Sequence, residues 1–161
     1  MKRSIFIITV SLWLMSMAAQ SFAHCQVPCG IYNDQMRIDM IEEDITTIEK
    51  AMNQIEKLSK AKVINYNQLV RWINTKEKHA ENIQKIVTEY FMTQKVKLTD
   101  DKDSAEKEVY LEKLSLLHEL LVYSMKAKQT TDLNNVKKLK EVVESFEKVY
   151  FGPNYQKHEH H

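Results

Sequence analysis

The sequence contains very few of the residues that make tight turns. Its 161 residues include two glycines and two prolines, and residues 31–151 contain neither. Average usage would give about nineteen glycines and prolines together in a chain of this length. β-Sandwiches, β-barrels and doubly wound α/β folds need many turn residues, and a phosphate-binding loop needs several glycines. The deficit therefore argues against these folds and against such a loop.

An excess of charge of one sign is also lacking. The chain has 23 basic and 22 acidic residues, a net charge of +1, which gives no reason to expect nucleic-acid binding. Charged residues make up 28% of the sequence and hydrophobic residues 43%, a balance that suits a soluble, packed, helical protein. Cysteine is limited to Cys25 and Cys29, which lie close together. The length predicts one domain, or one domain and a removable segment.

The beginning of the chain has the three parts of a secretory signal peptide. Lys2 and Arg3 form a basic start, residues 5–19 form an apolar run, and a small-x-small motif ends at Ala23. A membrane span needs about twenty apolar residues, so this run is short for an anchor. We therefore expect cleavage after Ala23.

Cleavage after Ala23 would leave His24 as the new N-terminus. Removing 23 of the 161 residues leaves 138, and the basic count falls from 23 to 21 against 22 acidic residues, a net charge of −1. No second apolar stretch is long enough to span a bilayer. The expectation is a soluble mature protein, periplasmic or extracellular, that binds neither membrane nor nucleic acid.

Four segments with apolar residues at helical spacing follow. They span residues 34–60, 68–95, 105–128 and 133–151. Asn65-Tyr66-Asn67 and Thr130-Thr131-Asp132 offer N-caps, and Gly152-Pro153 ends the last helix. Long helices with short links predict an all-α, up-down-up-down four-helix bundle. The expected organisation is a signal peptide (1–23), an N-terminal hook (24–33), the bundle (34–151) and a flexible tail (152–161).

Each predicted helix carries an apolar stripe that we expect to form the core. The stripe of the first helix consists of Ile38, Ile41, Ile45, Ile48, Met52, Ile55 and Leu58. The stripe of the third consists of Val109, Tyr110, Leu114, Leu117, Leu121 and Met125.

The chemistry-bearing residues lie at the expected new N-terminus, which reads His24-Cys25-Gln26-Val27-Pro28-Cys29-Gly30-Ile31-Tyr32. One interpretation is a disulfide between the two cysteines, since an exported protein meets an oxidising environment. A disulfide that closes so short a loop contributes little through loop entropy. A frayed terminus is a second plain interpretation.

A metal site is the sharper hypothesis. The α-amine of His24 and the backbone nitrogen of Cys25 can close a five-membered chelate ring, and the Cys25 nitrogen and its own thiolate can close another. The Cys29 thiolate would complete a planar set of two nitrogens and two sulfurs, which suits nickel(II) or copper(II). Zinc prefers a tetrahedron. The His24 imidazole can add a fifth ligand above the plane.

The pattern His-Cys-x-x-Pro-Cys-Gly-x-Tyr at a processed N-terminus resembles the nickel-binding hook of the nickel-containing superoxide dismutases. All six fixed positions are present, namely His24, Cys25, Pro28, Cys29, Gly30 and Tyr32. Residues 67–72 and 89–91 are also similar to members of that family. The resemblance covers residues 24–151.

This resemblance implies a dismutase that converts two superoxide ions and two protons to dioxygen and hydrogen peroxide. It implies one nickel ion per subunit, cycling between Ni(II) and Ni(III), and a homohexamer. The implied ligands are the α-amine and imidazole of His24, the backbone nitrogen and thiolate of Cys25, and the thiolate of Cys29. Pro28 and Gly30 would shape the hook.

The resemblance also implies residues around the metal. Tyr32 matches a tyrosine that covers the open face of the nickel. Asp39 stands where the family has a glutamate that holds the axial histidine, and His79, with Arg71 as the rival, matches a basic partner in that network. Tyr90 resembles a second tyrosine near the site. Each of Asp39, His79 and Tyr90 could equally be an ordinary solvated or core side chain.

Two other functions stay open from the sequence. One is a non-enzymatic periplasmic protein that carries nickel or copper on the same hook. The other is a helical interaction protein whose cysteines form a disulfide. A separate histidine-rich stretch, His158, His160 and His161, could gather nickel or could be no more than a tail.

Overall fold

The computed structural model describes residues 33–99, 104–152 and 155, and these residues form four helices without a strand. The predicted four-helix bundle is confirmed. We number its helices α1 (Asp34–Ser59), α2 (Tyr66–Lys85), α3 (Ser104–Gln129) and α4 (Leu133–Phe151). Helix α2 continues without a break into a π-helical segment, Ile86–Lys95.

Several predicted features lie outside the described residues. They are the signal peptide, residues 24–32 of the hook, and tail residues 153–154 and 156–161. The predicted metal ligands His24, Cys25 and Cys29, and with them Pro28, Gly30, Tyr32 and the three tail histidines, fall in these parts.

The helices run antiparallel in chain order, and α4 returns against α1. Contacts between α1 and α4 show the direction. Tyr150, near the end of α4, bonds Asp34 at the start of α1, whereas Thr131, just before α4, bonds Glu56 near the end of α1. This is the up-down-up-down order that short links between long helices require.

Capping side chains define where three of the helices begin. Asn33, Asn65 and Asp132 each accept a hydrogen bond from a backbone N–H of the first turn that follows, at 2.9, 3.1 and 3.0 Å. Such bonds satisfy donors that a helix start otherwise leaves unpaired. The last helix, α4, ends just before Gly152. The φ of Gly152 is 87°, a left-handed value that glycine adopts without strain.

The π-helical segment is where the structure departs from the predicted second helix. The sequence pattern predicts one α-helix over residues 68–95, but the last ten residues have π geometry. Three hydrogen bonds join residues five apart: Val96 N–H to Phe91 O at 2.8 Å, Thr93 Oγ1 to Thr88 O at 2.6 Å, and Gln94 Nε2 to Glu89 O at 2.7 Å. Side chains thus support the wider turn, which periodicity alone does not reveal.

One core lies between the four helices. Its largest fully buried side chains include Ile38, Ile41, Ile45, Ile48, Met52, Ile83, Phe91, Leu117, Leu120, Leu139 and Phe146. The predicted stripe of α1 is confirmed from Ile38 to Ile55. Burial of this kind contributes about 25 cal/mol for each Å² of apolar surface removed from water.

The predicted stripe of α3 is partly wrong. Leu117 is buried as expected, but Val109 and Met125 are each 43% exposed. Leu120, Ser124 and Ala127 are buried instead. Helix α3 carries leucine on several faces, so its sequence does not select one face. In the folded protein α3 packs against both α2 and α4, and these contacts determine which of its faces is buried.

Lys76 of α2 is a buried cation that terminates α3. It is 4% exposed, and its ammonium donates to the carbonyls of Ala127 (2.7 Å), Lys128 and Thr130 (3.5 Å). Glu77 lies 3.1 Å from the same ammonium. Carbonyls at a helix C-terminus lack partners within the helix and carry partial negative charge, so a cation there is stabilising.

Replacing this cation should destabilise the bundle. We expect Lys76→Met to lower the free energy of unfolding by about 1–3 kcal/mol, because it leaves buried carbonyls without a donor. Denaturant unfolding followed by circular dichroism measures the change. Lys78→Met, an exposed lysine of the same helix, is the matched control and should stay within about 0.5 kcal/mol of the parent. Equal free energies of unfolding for Lys76→Met and Lys78→Met would contradict the role of Lys76 as a cap of α3.

Candidate metal centre

Asp34, the first residue of α1 and the one that directly follows the hook in the sequence, is the centre of a hydrogen-bonded cluster. Its Oδ1 accepts from the Tyr90 hydroxyl at 2.5 Å and the Lys95 ammonium at 2.9 Å, and its Oδ2 accepts from the Tyr150 hydroxyl at 2.8 Å. Tyr90 and Lys95 belong to the π-helical segment and Tyr150 to α4. We call these four residues the Asp34 cluster.

The protonation states of the Asp34 cluster follow from its bonds. Burial works to raise the pKa of Asp34, but the hydrogen bonds from Tyr90, Lys95 and Tyr150 outweigh it and lower that pKa. Burial and the neighbouring carboxylate raise the pKa of both tyrosines, and the bond to Asp34 raises the pKa of Lys95. At neutral pH the carboxylate is therefore ionised, the ammonium is charged and the tyrosines keep their protons.

Gln35 forms a second set of contacts at the same end of the bundle. Its buried side-chain amide donates to Asp39 Oδ1 and to Glu147 Oε1, both at 2.8 Å. The amide oxygen accepts from the hydroxyl of Tyr155, whose ring stacks on Phe151 with centroids 4.2 Å apart. The predicted residue Asp39 is therefore held one turn into α1, on a network that also anchors the chain beyond α4.

His79 lies in a different set of contacts. Its Nδ1 is 2.5 Å from Oδ1 of Asp44, a buried residue of α1 that also lies 3.4 Å from the amide of Asn82. Burial raises the pKa of Asp44 even though both neighbours act to lower it. Among the described residues no contact joins His79 to Asp39, and Arg71 is exposed. The roles of Asp39 and His79 toward the metal stay predictions.

Tyr90 is the predicted site residue that bonds the first residue of α1. It is 2% exposed, and its hydroxyl reaches Asp34, two residues after Tyr32. Two cations flank its ring: the Arg37 guanidinium carbon at 5.1 Å and the Lys95 ammonium at 5.2 Å from the centroid. Such contacts each contribute about 0.5–1 kcal/mol at exposed sites and more where they are buried.

A cleft of about 420 Å³ adjoins the Asp34 cluster. Lys95 and Tyr150 belong to its wall, together with Lys97, Tyr110 and Lys113. Glu106 also lines the cleft, and the Lys95 ammonium is paired with Asp34, so the lysine charges are partly balanced there.

The described helices do not themselves supply a metal-binding cluster. Within residues 33–99, 104–152 and 155, no three His, Cys, Asp or Glu side chains are grouped so that they could hold an ion. The hook sequence offers two thiols, an imidazole and, after processing, an α-amine, a donor set that fits nickel better than hard cations. None of the helices in the described part of the chain is long and apolar enough to cross a membrane.

The family model of the nickel-containing superoxide dismutases matches residues 19–153. The chain belongs to this family. The match starts ahead of His24 and ends beyond α4, so it includes the hook sequence and the whole bundle. Searches of curated proteins and of solved structures gave no match.

Family membership establishes the class of chemistry. The chain is an oxidoreductase with superoxide dismutase activity, and its cofactor is nickel. Its substrate is superoxide, a small anion.

The sequence interpretation missed three members of the Asp34 cluster. Asp34 looks like an ordinary first-turn acid that favours a helix start. Lys95 follows Tyr90 by five positions, a spacing that places the two on different sides of an α-helix. Tyr150 lies four positions after Phe146, a helical spacing that predicts an ordinary core side chain. Of the Asp34 cluster, the sequence pointed only to Tyr90, through the resemblance to the family.

Proposed function

We propose that the nickel centre of this dismutase is built by the N-terminus that cleavage after Ala23 creates. The α-amine and imidazole of His24, the backbone nitrogen and thiolate of Cys25, and the thiolate of Cys29 would hold the ion. The observation that carries the proposal is the hook motif directly after the predicted cleavage site, in a chain whose family match covers residues 19–153. Before cleavage the α-amine of His24 does not exist.

Bound nickel would supply a one-electron Ni(II)/Ni(III) couple for the conversion of two superoxide ions and two protons to dioxygen and hydrogen peroxide. The protein's contribution is the donor set and its surroundings. The anionic thiolates of Cys25 and Cys29 and the deprotonated backbone amide would lower the potential of the couple, and the imidazole of His24 would stabilise the oxidised ion. Tyr32 would order water and limit access on the open face, while Tyr90 is held by Asp34, which directly follows the hook in the sequence.

We further propose that the protein is exported and assembles as a homohexamer. Support for assembly comes from α2, where Tyr66, Val70 and Ile73 lie at helical spacing on one exposed face, 69%, 52% and 37% exposed. A second copy of the chain would cover this apolar face. Light scattering of the purified protein should give six times the mass of the processed subunit, and a monomeric mass would contradict the assembly.

Mass, metal and thiol analysis of one sample tests the centre. We expect purified mature protein to begin at His24, to contain one nickel ion per chain and two reduced thiols that the metal protects, and to accelerate superoxide decay. Stoichiometric nickel or copper without such acceleration would favour the non-enzymatic metal carrier. A disulfide in place of two thiols, in protein purified without reductant, would favour the helical interaction protein.

A further inference from the structure

We infer that Asp34 is a positioning residue for the nickel hook, and that it fixes the direction in which the chain leaves the bundle. The inference rests on the proposed function, in which the hook holds the metal. Asp34 follows Tyr32 by two residues and Cys29 by five. An extended chain spans at most about 3.6 Å per residue, so Cys29 is within about 18 Å of Asp34.

Asp34 joins three elements at this point. Both of its carboxylate oxygens are used, one by Tyr90 and Lys95 and the other by Tyr150. The start of α1 is thereby tied to the π-helical segment and to the end of α4. Hydrogen bonds in which one partner is ionised are shorter and stronger than neutral ones, so this link is well suited to hold a backbone direction.

The π geometry explains how one carboxylate can receive both Tyr90 and Lys95. In an α-helix, residues five apart point about 140° away from each other. In a π-helix the hydrogen bonds run between residues five apart, and such residues lie on the same side. The π-helical segment therefore places Tyr90 and Lys95 where both can bond Asp34. Segments of this kind are rare and occur frequently at functional sites.

The start of α1 does not depend on the Asp34 carboxylate. The N-cap of α1 is Asn33, whose side chain bonds the Gln35 N–H at 2.9 Å, so α1 begins correctly without the Asp34 carboxylate. Asp34→Asn keeps the shape of the side chain but removes its negative charge and one of the two oxygens that accept from Tyr90, Lys95 and Tyr150. The helices should persist while the link to the hook is lost.

The test compares Asp34→Asn with the parent as processed, nickel-loaded enzymes. We expect about a 10- to 100-fold loss in nickel affinity or in kcat, the range found when a residue that orients metal ligands is replaced. Affinity is measured by competition with a chelator. The electron paramagnetic resonance signature of the oxidised nickel should also shift, which a loss of stability alone would not produce.

Glu49→Gln is the matched control. Glu49 is another α1 carboxylate that pairs with a lysine of α4, Lys140, at 2.6 Å, but it lies far along the helix from the hook. This variant should keep the nickel affinity, kcat and spectrum of the parent. Parental values for all three in Asp34→Asn would overturn the inference.

Tyr150→Phe keeps the inference testable if Asp34→Asn does not fold. It removes one donor to Asp34 and leaves the ring in place, so a smaller change in the same direction is expected. If Tyr150→Phe and Glu49→Gln both match the parent in affinity and spectrum, the inference is wrong. Failure of the proposed function would look different, because the parent itself would then lack nickel or dismutase activity.

Discussion

A mature chain with one serine added ahead of His24 is expected to lose dismutase activity by about 100-fold or more. The extra residue converts the α-amine of His24 into an amide, and the chelate ring that begins at that amine can no longer form. Replacing residues that only orient ligands costs about 10- to 100-fold in metal systems, so loss of a ligand should cost at least as much. The measurement is superoxide decay per unit of nickel and per unit of protein.

The control is the chain that begins at His24, prepared by the same route. The extension lies ahead of all described residues, so both proteins should show the same helical circular dichroism and, with nickel removed from both, the same thermal midpoint. That agreement would separate an effect on the metal from an effect on the fold. Full activity in the extended chain would rule out the α-amine as a ligand.

Phe91→Ala is expected to have the largest effect on stability. Phe91 is fully buried, and its ring makes edge contacts with Tyr90, Phe146 and Tyr150 at centroid distances of 5.2, 4.9 and 5.4 Å. Truncating a buried phenylalanine costs about 3–5 kcal/mol through lost apolar burial and the cavity left behind. Domains are stable by about 5–15 kcal/mol, so a large part of the stability would be lost.

Denaturant unfolding at one fixed protein concentration measures this cost, since assembly makes stability depend on concentration. Met92→Ala, at the next position of the same π-helical segment, is the control because Met92 is 38% exposed. It should change stability by much less than Phe91→Ala. If the free energy of unfolding of Phe91→Ala lay within about 1 kcal/mol of the parent value, the expected contribution of this ring to the core would be contradicted. Loss of the Phe91 ring should also weaken nickel binding, because Tyr90 and Tyr150 pack on this ring and both bond Asp34.

The fold was largely predictable because its signals are local. Apolar spacing in α1 identifies the residues from Ile38 to Ile55 that are buried, and Asn65 lies at the start of α2 as a cap. The start of α4 at Leu133 and its end at Phe151 also agree with the prediction. Helical periodicity and capping depend on residues a few positions apart, which a sequence displays directly.

The buried face of α3 was less predictable for a physical reason. Several of its leucines are spaced so that more than one face is apolar, and Val109 and Met125 turned out exposed while Leu120 and Ala127 are buried. Which face is buried depends on where α2 and α4 lie. That information is not local to α3.

By itself, the amino-acid sequence determined that this protein is a helical bundle with a hook motif of the nickel-containing superoxide dismutases at its start. Both depend on the order of neighbouring residues. Only the tertiary structure decided that Asp34, Tyr90, Lys95 and Tyr150 meet at one point. Tyr150 is 116 positions from Asp34. The meeting of the four requires the wider turn of the π-helical segment, which has no local sequence signal.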